Sequence, residues 1–134
     1  MNLKKMGLAA LLIFILWTIL DFVIHGLILG NTYEDLIPLI RPTFEMKMGL
    51  INLVLIINVG CFVSIYALFV KPKTPKRALG YGALYGLALG FGMGFGTYAS
   101  MPIPFMLAWV WCGGFWVEGL LAGGILGWLV KENH

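Results

Sequence analysis

The chain has 134 residues, of which 60% are hydrophobic and only 11% are charged, and its mean hydropathy is +0.93. A soluble domain usually carries about a quarter charged residues, and disordered chains are poor in apolar residues, so the composition excludes both classes. The composition indicates an integral membrane protein.

Four apolar stretches reach the roughly 20 residues that a transmembrane helix needs. They cover about 7–30, 48–70, 78–100 and 104–130. The alternation of apolar and polar residues that is typical of membrane β-strands is missing. We therefore predict an all-α membrane protein with one domain, 1–134, of four transmembrane helices in an antiparallel bundle.

The first span carries Trp17, Asp21 and His25, which are spaced four residues apart and share one helical face. Asn58 in the second span and Glu118 in the fourth lie, like Asp21, within about one helical turn of the membrane midplane. Ionisable groups inside a bilayer are costly and are functional candidates for that reason. We predict an intramembrane polar cluster of Asp21, His25, Asn58 and Glu118.

The connection after the first span, 31–47, contains a pattern typical of a short amphipathic helix. Thr32 is a plausible N-cap, and Pro38 and Pro42 follow the turn that it would begin. We expect this short segment to lie on the outer membrane surface.

Seven of the nine Lys and Arg residues lie on one side of the predicted membrane. They are Lys4, Lys5, Lys71, Lys73, Lys76, Arg77 and Lys131. Positively charged short loops stay in the cytoplasm, so we predict that both termini are cytoplasmic. Topology then accounts for the net charge of +3, and no nucleic-acid partner is expected. Lys71, Lys73, Lys76 and Arg77 are expected to contact anionic lipid headgroups.

Two stripes of glycine lie in the second half of the chain. The third span carries Gly82, Gly86, Gly90 and Gly94, and the fourth carries Gly119, Gly123 and Gly127. Glycines four residues apart let a neighbouring helix backbone approach closely. One interpretation is packing of these two spans on each other, and the other is a face for a second copy or a partner's helix.

A faint internal repeat relates 26–33 to 92–98, since both segments are rich in glycine and end with Thr-Tyr. Each follows a span that runs outward, so the repeat predicts a parallel duplication of two helices.

Three interpretations of the polar cluster remain open. Asp21 and Glu118 can be neutral or hydrogen-bonded groups that only hold helices together. They can instead form a path for protons or cations, as carboxylates do in small transporters. His25 can also be a ligand for haem or copper, with the thioethers of Met46, Met48 and Met101 as soft ligands. The other histidine, His134, lies at the far end of the chain and cannot assist it.

Sequence patterns of known catalytic sites are missing. The glycines near Gly90 lack the Lys and Ser or Thr of a phosphate-binding loop, and the chain has no motif of a nucleophile with its base. We predict that the protein is not an enzyme and binds no cofactor, with haem or copper as the alternative just described.

The chain resembles small uncharacterised four-helix membrane proteins of bacteria, which are classified as domains of unknown function. The resemblance rests on the segment 17–26 with its Asp21 and His25, on the third span ending Gly96-Thr97-Tyr98, and on Glu118 in the last span. It implies four helices and a bacterial inner membrane, and it implies no activity.

The sequence favours a non-catalytic accessory or scaffold subunit that lies in the bilayer with a membrane-protein partner or a second copy. A small proton- or cation-coupled transporter that uses Asp21 and Glu118 is the alternative. A haem- or metal-binding protein that uses His25 is the third possibility.

Overall fold

The computed structural model describes residues 2–132, and within this range the chain forms only helices, turns and connections. His134 lies outside the described residues. The α-helices are α1 (Leu3–Asp21), α2 (Gly30–Asp35), α3 (Met48–Phe69), α4 (Pro75–Gly90), α5 (Gly96–Ser100) and α6 (Phe105–Leu129). Two π-helical segments, π1 (Phe22–Ile28) and π2 (Phe91–Phe95), extend α1 and α4, and Thr43–Glu45 forms a 3-10 turn.

Four helical stretches are long and apolar enough to cross a membrane, which confirms the predicted all-helical class and the four spans. They are Leu3–Ile28, Met48–Phe69, Pro75–Ser100 and Phe105–Leu129. The first and third begin a few residues before the apolar stretches because polar side chains cap them. Asn2 accepts a hydrogen bond from the backbone N–H of Lys5, and Thr74 accepts one from that of Arg77.

The short helix of the 31–47 connection begins earlier than predicted. It starts at Gly30, directly after π1, and no side chain caps it, so the prediction of Thr32 as its N-cap is wrong. Leu29 just before it is buried and clusters with Ile103, which precedes α6, and with Leu107 in the first turn of α6. This apolar contact ties the connection to α6.

The two glycine stripes face each other across the contact between α4 and α6. A Cβ atom added to Gly82 would overlap the carbonyl oxygen of Gly119, and one added to Gly90 would lie 2.6 Å from the carbonyl oxygen of Cys112. Gly82 faces Gly119 and Gly123 of α6, whereas Gly94, further along the third span, faces Ala108 nearer the start of α6. The two stripes are therefore occupied within one chain, and no surface remains on them for a second copy or a partner's helix.

An aromatic core fills the half of the bundle that lies near the chain ends. The ring centroids of Trp17 and Phe62 are 5.4 Å apart, and those of Phe62 and Tyr81 are 4.8 Å apart. The Tyr81 hydroxyl donates a hydrogen bond to the backbone carbonyl of Phe62 at 2.7 Å. These contacts join α1, α3 and α4. The fully buried residues of α3 all lie from Val59 onward, and in its first half Leu55 is partly buried against this core.

The faint repeat has a structural counterpart. The first and third spans both change from α-helix to π-helix, at Phe22 and at Phe91, and both then end in a short α-helix that begins at a glycine. Single π turns within α-helices occur often at functional sites, because they redirect the side chains that follow.

Substitution of Gly86 by alanine should disturb the contact between α4 and α6. The new Cβ would overlap the carbonyl oxygen of Phe115 and lie 3.0 Å from the Cα of Trp116, and backbone atoms cannot rotate away. We expect Gly86→Ala to lower the free energy of unfolding by about 1–3 kcal/mol, measured by denaturation in mild detergent.

The matched control is Gly80→Ala in the same helix, where a Cβ meets nothing within 4 Å. It should leave stability unchanged or raise it by up to about 1 kcal/mol, because alanine favours helix more than glycine does. Equal effects of the two substitutions would contradict the packing described.

Candidate intramembrane polar site

Three elements bring polar side chains together in the half of the bundle that is remote from the chain ends. The first span supplies Asp21 and His25, α2 supplies Tyr33, and α6 supplies Trp111 and Glu118. We call these five side chains the polar chain.

The face of α6 that bears Trp111 and Glu118 can contact the first span, because the glycine contact with α4 uses another face of α6. Trp111 and Glu118 are seven residues apart and share a helical face with Gly114, which lies between them. A Cβ on Gly114 would lie 3.0 Å from Cδ1 of Ile24, so the glycine lets the first span approach.

A buried hydrogen bond fixes the first span against α6 at the level of the polar chain. The indole Nε1–H of Trp17 donates to the backbone carbonyl of Glu118 at 3.0 Å. This places Asp21, one turn after Trp17, on the face of the first span that approaches α6, so that the Asp21 and Glu118 carboxyl groups are neighbours. Two neighbouring carboxyl groups are best accommodated when they share a proton.

His25 lies between the carboxyl pair and Tyr33. Its Nε2 is 3.9 Å from Oδ1 of Asp21, and its Nδ1 is 2.5 Å from the hydroxyl oxygen of Tyr33. The rings of His25 and Tyr33 are stacked with an interplanar angle of 17°.

The direction of the hydrogen bonds at Tyr33 follows from the chemistry of its partners. The indole of Trp111 is a donor only, and its Nε1–H donates to the Tyr33 oxygen at 2.7 Å. The phenolic proton of Tyr33 then points to Nδ1 of His25, which accepts it. A neutral His25 in this arrangement carries its own proton on Nε2, facing Asp21.

Burial raises the pKa of the Tyr33 phenol to about 12, although the hydrogen bond from Trp111 opposes this shift. The phenol therefore keeps its proton at neutral pH and serves as a hydrogen-bond donor.

A small cavity of about 10 Å³ lies between His25, Trp111 and Glu118. Its other lining residues are Ile24, Gly114 and Phe115. About this volume holds one water molecule when polar groups line it. One water here would link the His25 imidazole to the Glu118 carboxyl. It would thereby supplement the 3.9 Å separation between His25 and Asp21, which is too long for a hydrogen bond.

Exposure differs along the polar chain. Glu118 is 7% exposed, whereas the side chains of Asp21 and His25 are 41% and 42% exposed. The carboxyl of Glu118 is thus enclosed by other residues of the protein, whereas the side chains of Asp21 and His25 lie partly on the surface of the helix bundle.

Asn58 does not belong to the polar chain, so its inclusion in the predicted cluster is wrong. Its side-chain amide donates to the backbone carbonyl of Val54 at 3.1 Å within α3, and no hydrogen bond joins it to Asp21, His25 or Glu118 in the described structure. This hydrogen bond is exposed and lies wholly within α3, so it does not link α3 to the first span.

Tyr33 and Trp111 are members that the sequence did not identify. The seven-residue spacing of Trp111 and Glu118 was a usable signal, because it predicts a shared helical face. Tyr33 gave no comparable signal, since its place depends on how the 31–47 connection folds back on α6.

Both ring nitrogens of His25 face groups of the protein, which argues against a role as haem or copper ligand. Among residues 2–132 no group of three or more His, Cys, Asp or Glu side chains is placed to hold a metal ion. Lys71 and Lys73 lie in the α3–α4 connection, and Lys76 and Arg77 lie in the first turn of α4, so none of the four belongs to the polar chain. Arg77 donates through its guanidinium to the backbone carbonyl of Lys71.

Comparisons with protein-family models, with curated proteins and with solved structures found no match.

Removal of the Tyr33 hydroxyl should change the pH dependence of stability. Because its pKa is about 12 in the folded protein and 10.0 in an unperturbed tyrosine, its contribution is fully present below pH 10 and is lost as the pH rises towards 12. Wild type should therefore lose more free energy of unfolding across this range than Tyr33→Phe, measured by denaturation in detergent at a series of pH values.

At neutral pH Tyr33→Phe should cost about 1–3 kcal/mol, because the Trp111 N–H loses its acceptor. Tyr98→Phe, at an exposed tyrosine of α5, is the control and should follow the wild-type profile. Superimposable profiles for Tyr33→Phe and wild type would refute the assigned hydrogen bonds.

Proposed function

We propose that the protein exchanges protons across part of a bacterial inner membrane through the polar chain. The observation that carries the proposal is the order of neighbouring polar groups. Tyr33 is hydrogen-bonded to His25, Nε2 of His25 lies 3.9 Å from Oδ1 of Asp21, and Asp21 neighbours Glu118. A cluster that only held helices together would not need an imidazole with polar partners on both nitrogens.

The proposed topology is an antiparallel bundle of the four spans with both termini in the cytoplasm. It is supported by the distribution of Lys and Arg, which lie mostly in the segments 2–5, 71–77 and 131. In this topology Tyr33 lies on the outer side and Glu118 lies deep in the bilayer. The assignment to bacteria rests on the resemblance described above.

The proposed transfer proceeds in balanced steps. Tyr33 passes its phenolic proton to Nδ1 of His25 and takes a replacement from the outer aqueous side. The imidazolium then releases the proton on Nε2 to Asp21, or to Glu118 through a water in the small cavity that His25 and Glu118 line. Asp21 and Glu118 take up that proton, and one proton leaves the pair to the cytoplasmic side. His25 then returns from the Nδ1–H to the Nε2–H tautomer, which frees Nδ1 to accept the next proton from Tyr33. Each step moves one proton along an existing contact and leaves the net charge of Tyr33 unchanged.

Proton flux into liposomes tests the proposal. Reconstituted wild type should acidify the lumen under an imposed potential faster than empty liposomes do. Asp21→Asn and Glu118→Gln should each reduce the initial rate on the order of 100-fold, as expected for the loss of a positioned proton-transfer group.

Glu45→Gln is the matched control, since it removes a carboxylate from the exposed turn Thr43–Glu45. It should leave the rate unchanged. The absence of wild-type flux, or equal loss in all three variants, would overturn the proposal. A flux driven by a sodium gradient at constant pH, and lost in the same two variants, would assign the site to a cation instead.

A second candidate function is that of an accessory subunit without catalytic activity. It is favoured by the outward surface of the first half of α3, where Leu50, Ile51, Leu53 and Val54 are all exposed. The glycine stripes are occupied within the chain, so a partner or second copy would have to bind elsewhere, on surfaces such as the first half of α3.

Native mass spectrometry after extraction in mild detergent tests the accessory role. We expect a stoichiometric partner or a defined oligomer to be retained. Substitution of exposed residues of α3, such as Leu50→Ala and Ile57→Ala, should release it. A partner-free monomer would contradict this second candidate and leave the proton-exchange proposal intact.

A further inference from the structure

A large cavity lies at the end of the bundle that carries the chain ends, remote from the polar chain. Its volume is about 450 Å³, which is within the usual range for small-molecule sites. Three separate segments form it: the start of α1, the connection between α3 and α4, and the end of α6. The lining residues are Asn2, Lys5, Ala67, Leu68, Lys71, Lys73, Val130, Lys131 and Glu132.

The charge of this cavity is strongly positive. Four lysines face one carboxylate, Glu132, and within residues 2–132 no ammonium group lies within 4.0 Å of a carboxylate oxygen. Among the described residues, four lysines with a single neighbouring carboxylate repel one another. A bound anion would relieve that repulsion.

Three hydrogen bonds, each with a backbone group as one partner, hold the walls in place. The N–H of Glu132 donates to the carbonyl of Lys73 at 3.1 Å, which joins the end of the described chain to the α3–α4 connection. Arg77 donates to the carbonyl of Lys71 from the other side. The Asn2 cap fixes the first turn of α1, in which Lys5 lies.

The cations that line the cavity differ from the four that the sequence predicts to contact lipid headgroups. Lys71 and Lys73 line it, but Lys76 and Arg77 do not, and Lys5 and Lys131 join from opposite ends of the chain. Proximity in the fold, and not in the sequence, therefore defines this site.

We propose that this cavity binds a phosphate-bearing anion, with the headgroup of an anionic phospholipid as its occupant. Leu68 and Val130 give part of the lining an apolar character that would accommodate the glycerol and the first acyl carbons. The cavity opens where four membrane-length helices end, which is the depth at which lipid phosphates lie. Inorganic phosphate alone offers the same charge but would leave most of the volume empty.

The test measures lipid retention by native mass spectrometry of the full-length protein in a neutral detergent. Phosphatidylglycerol and phosphatidylcholine are the two lipid probes, and inorganic phosphate is the third. We expect wild type to retain phosphatidylglycerol in preference to phosphatidylcholine, with retention that falls as salt is added.

A pair of double variants with equal charge change separates a built site from general attraction. Lys71→Gln with Lys131→Gln removes two cations of the cavity, and Lys4→Gln with Lys76→Gln removes two from outside it. All four side chains are exposed, so neither change should unfold the protein. The first double variant should weaken phosphatidylglycerol retention by about 10-fold or more, and the second should change it little.

Equal losses in the two double variants, or equal retention of the two lipids, would overturn the proposal, because they would show a diffuse field and no site. Binding of inorganic phosphate that is lost only in the first double variant, without retention of either lipid, would support the phosphate site and identify a free anion as its source.

Discussion

The close contact between α4 and α6 is the constraint on which the rest of the structure depends. Gly82, Gly86, Gly90 and Gly94 bring one backbone against the carbonyl oxygens of the other, where any side chain would overlap them. Helices in a bilayer gain no hydrophobic driving force by associating, so this close fit supplies the van der Waals contact that holds them. It also commits one face of α6 and leaves the face of Trp111, Gly114 and Glu118 for the first span. The position of the polar chain is thus a consequence of the glycine packing.

Each ionisable group of the polar chain has a polar neighbour, which lowers the free-energy cost of placing it in a membrane. Trp17 and Gly114 set the distance between the first span and α6, and that distance brings Asp21 to Glu118. Tyr33 then reaches His25 from outside the span and is itself held by Trp111. A carboxyl pair, an imidazole and a phenol in series can each accept a proton from one side and release one on the other. This property distinguishes the arrangement from a simple interhelical hydrogen bond.

The fold was largely predictable from sequence because hydropathy and glycine spacing are local signals. Apolar length identifies the four spans, and the four-residue spacing identifies the glycine stripes and the pair of Asp21 and His25. The site was only partly predictable, because the residues that belong to the polar chain depend on how each helix is rotated about its axis and on which parts of neighbouring helices are in contact. Asn58 has the right depth, but its side chain is hydrogen-bonded within its own helix. Tyr33 enters through a connection that folds back, and neither π segment has a sequence signature that distinguishes it from ordinary helix.

Relay of protons by His25 between Tyr33 and Asp21 can be followed directly by nitrogen NMR of isotope-labelled histidine. In a His134→Gln background, the signals of the two ring nitrogens belong to His25 alone. We expect both signals to respond to external pH, Tyr33→Phe to shift the Nδ1 signal, and Asp21→Asn to shift the Nε2 signal. Ring-nitrogen signals that are unaffected by pH and by both substitutions would contradict this relay.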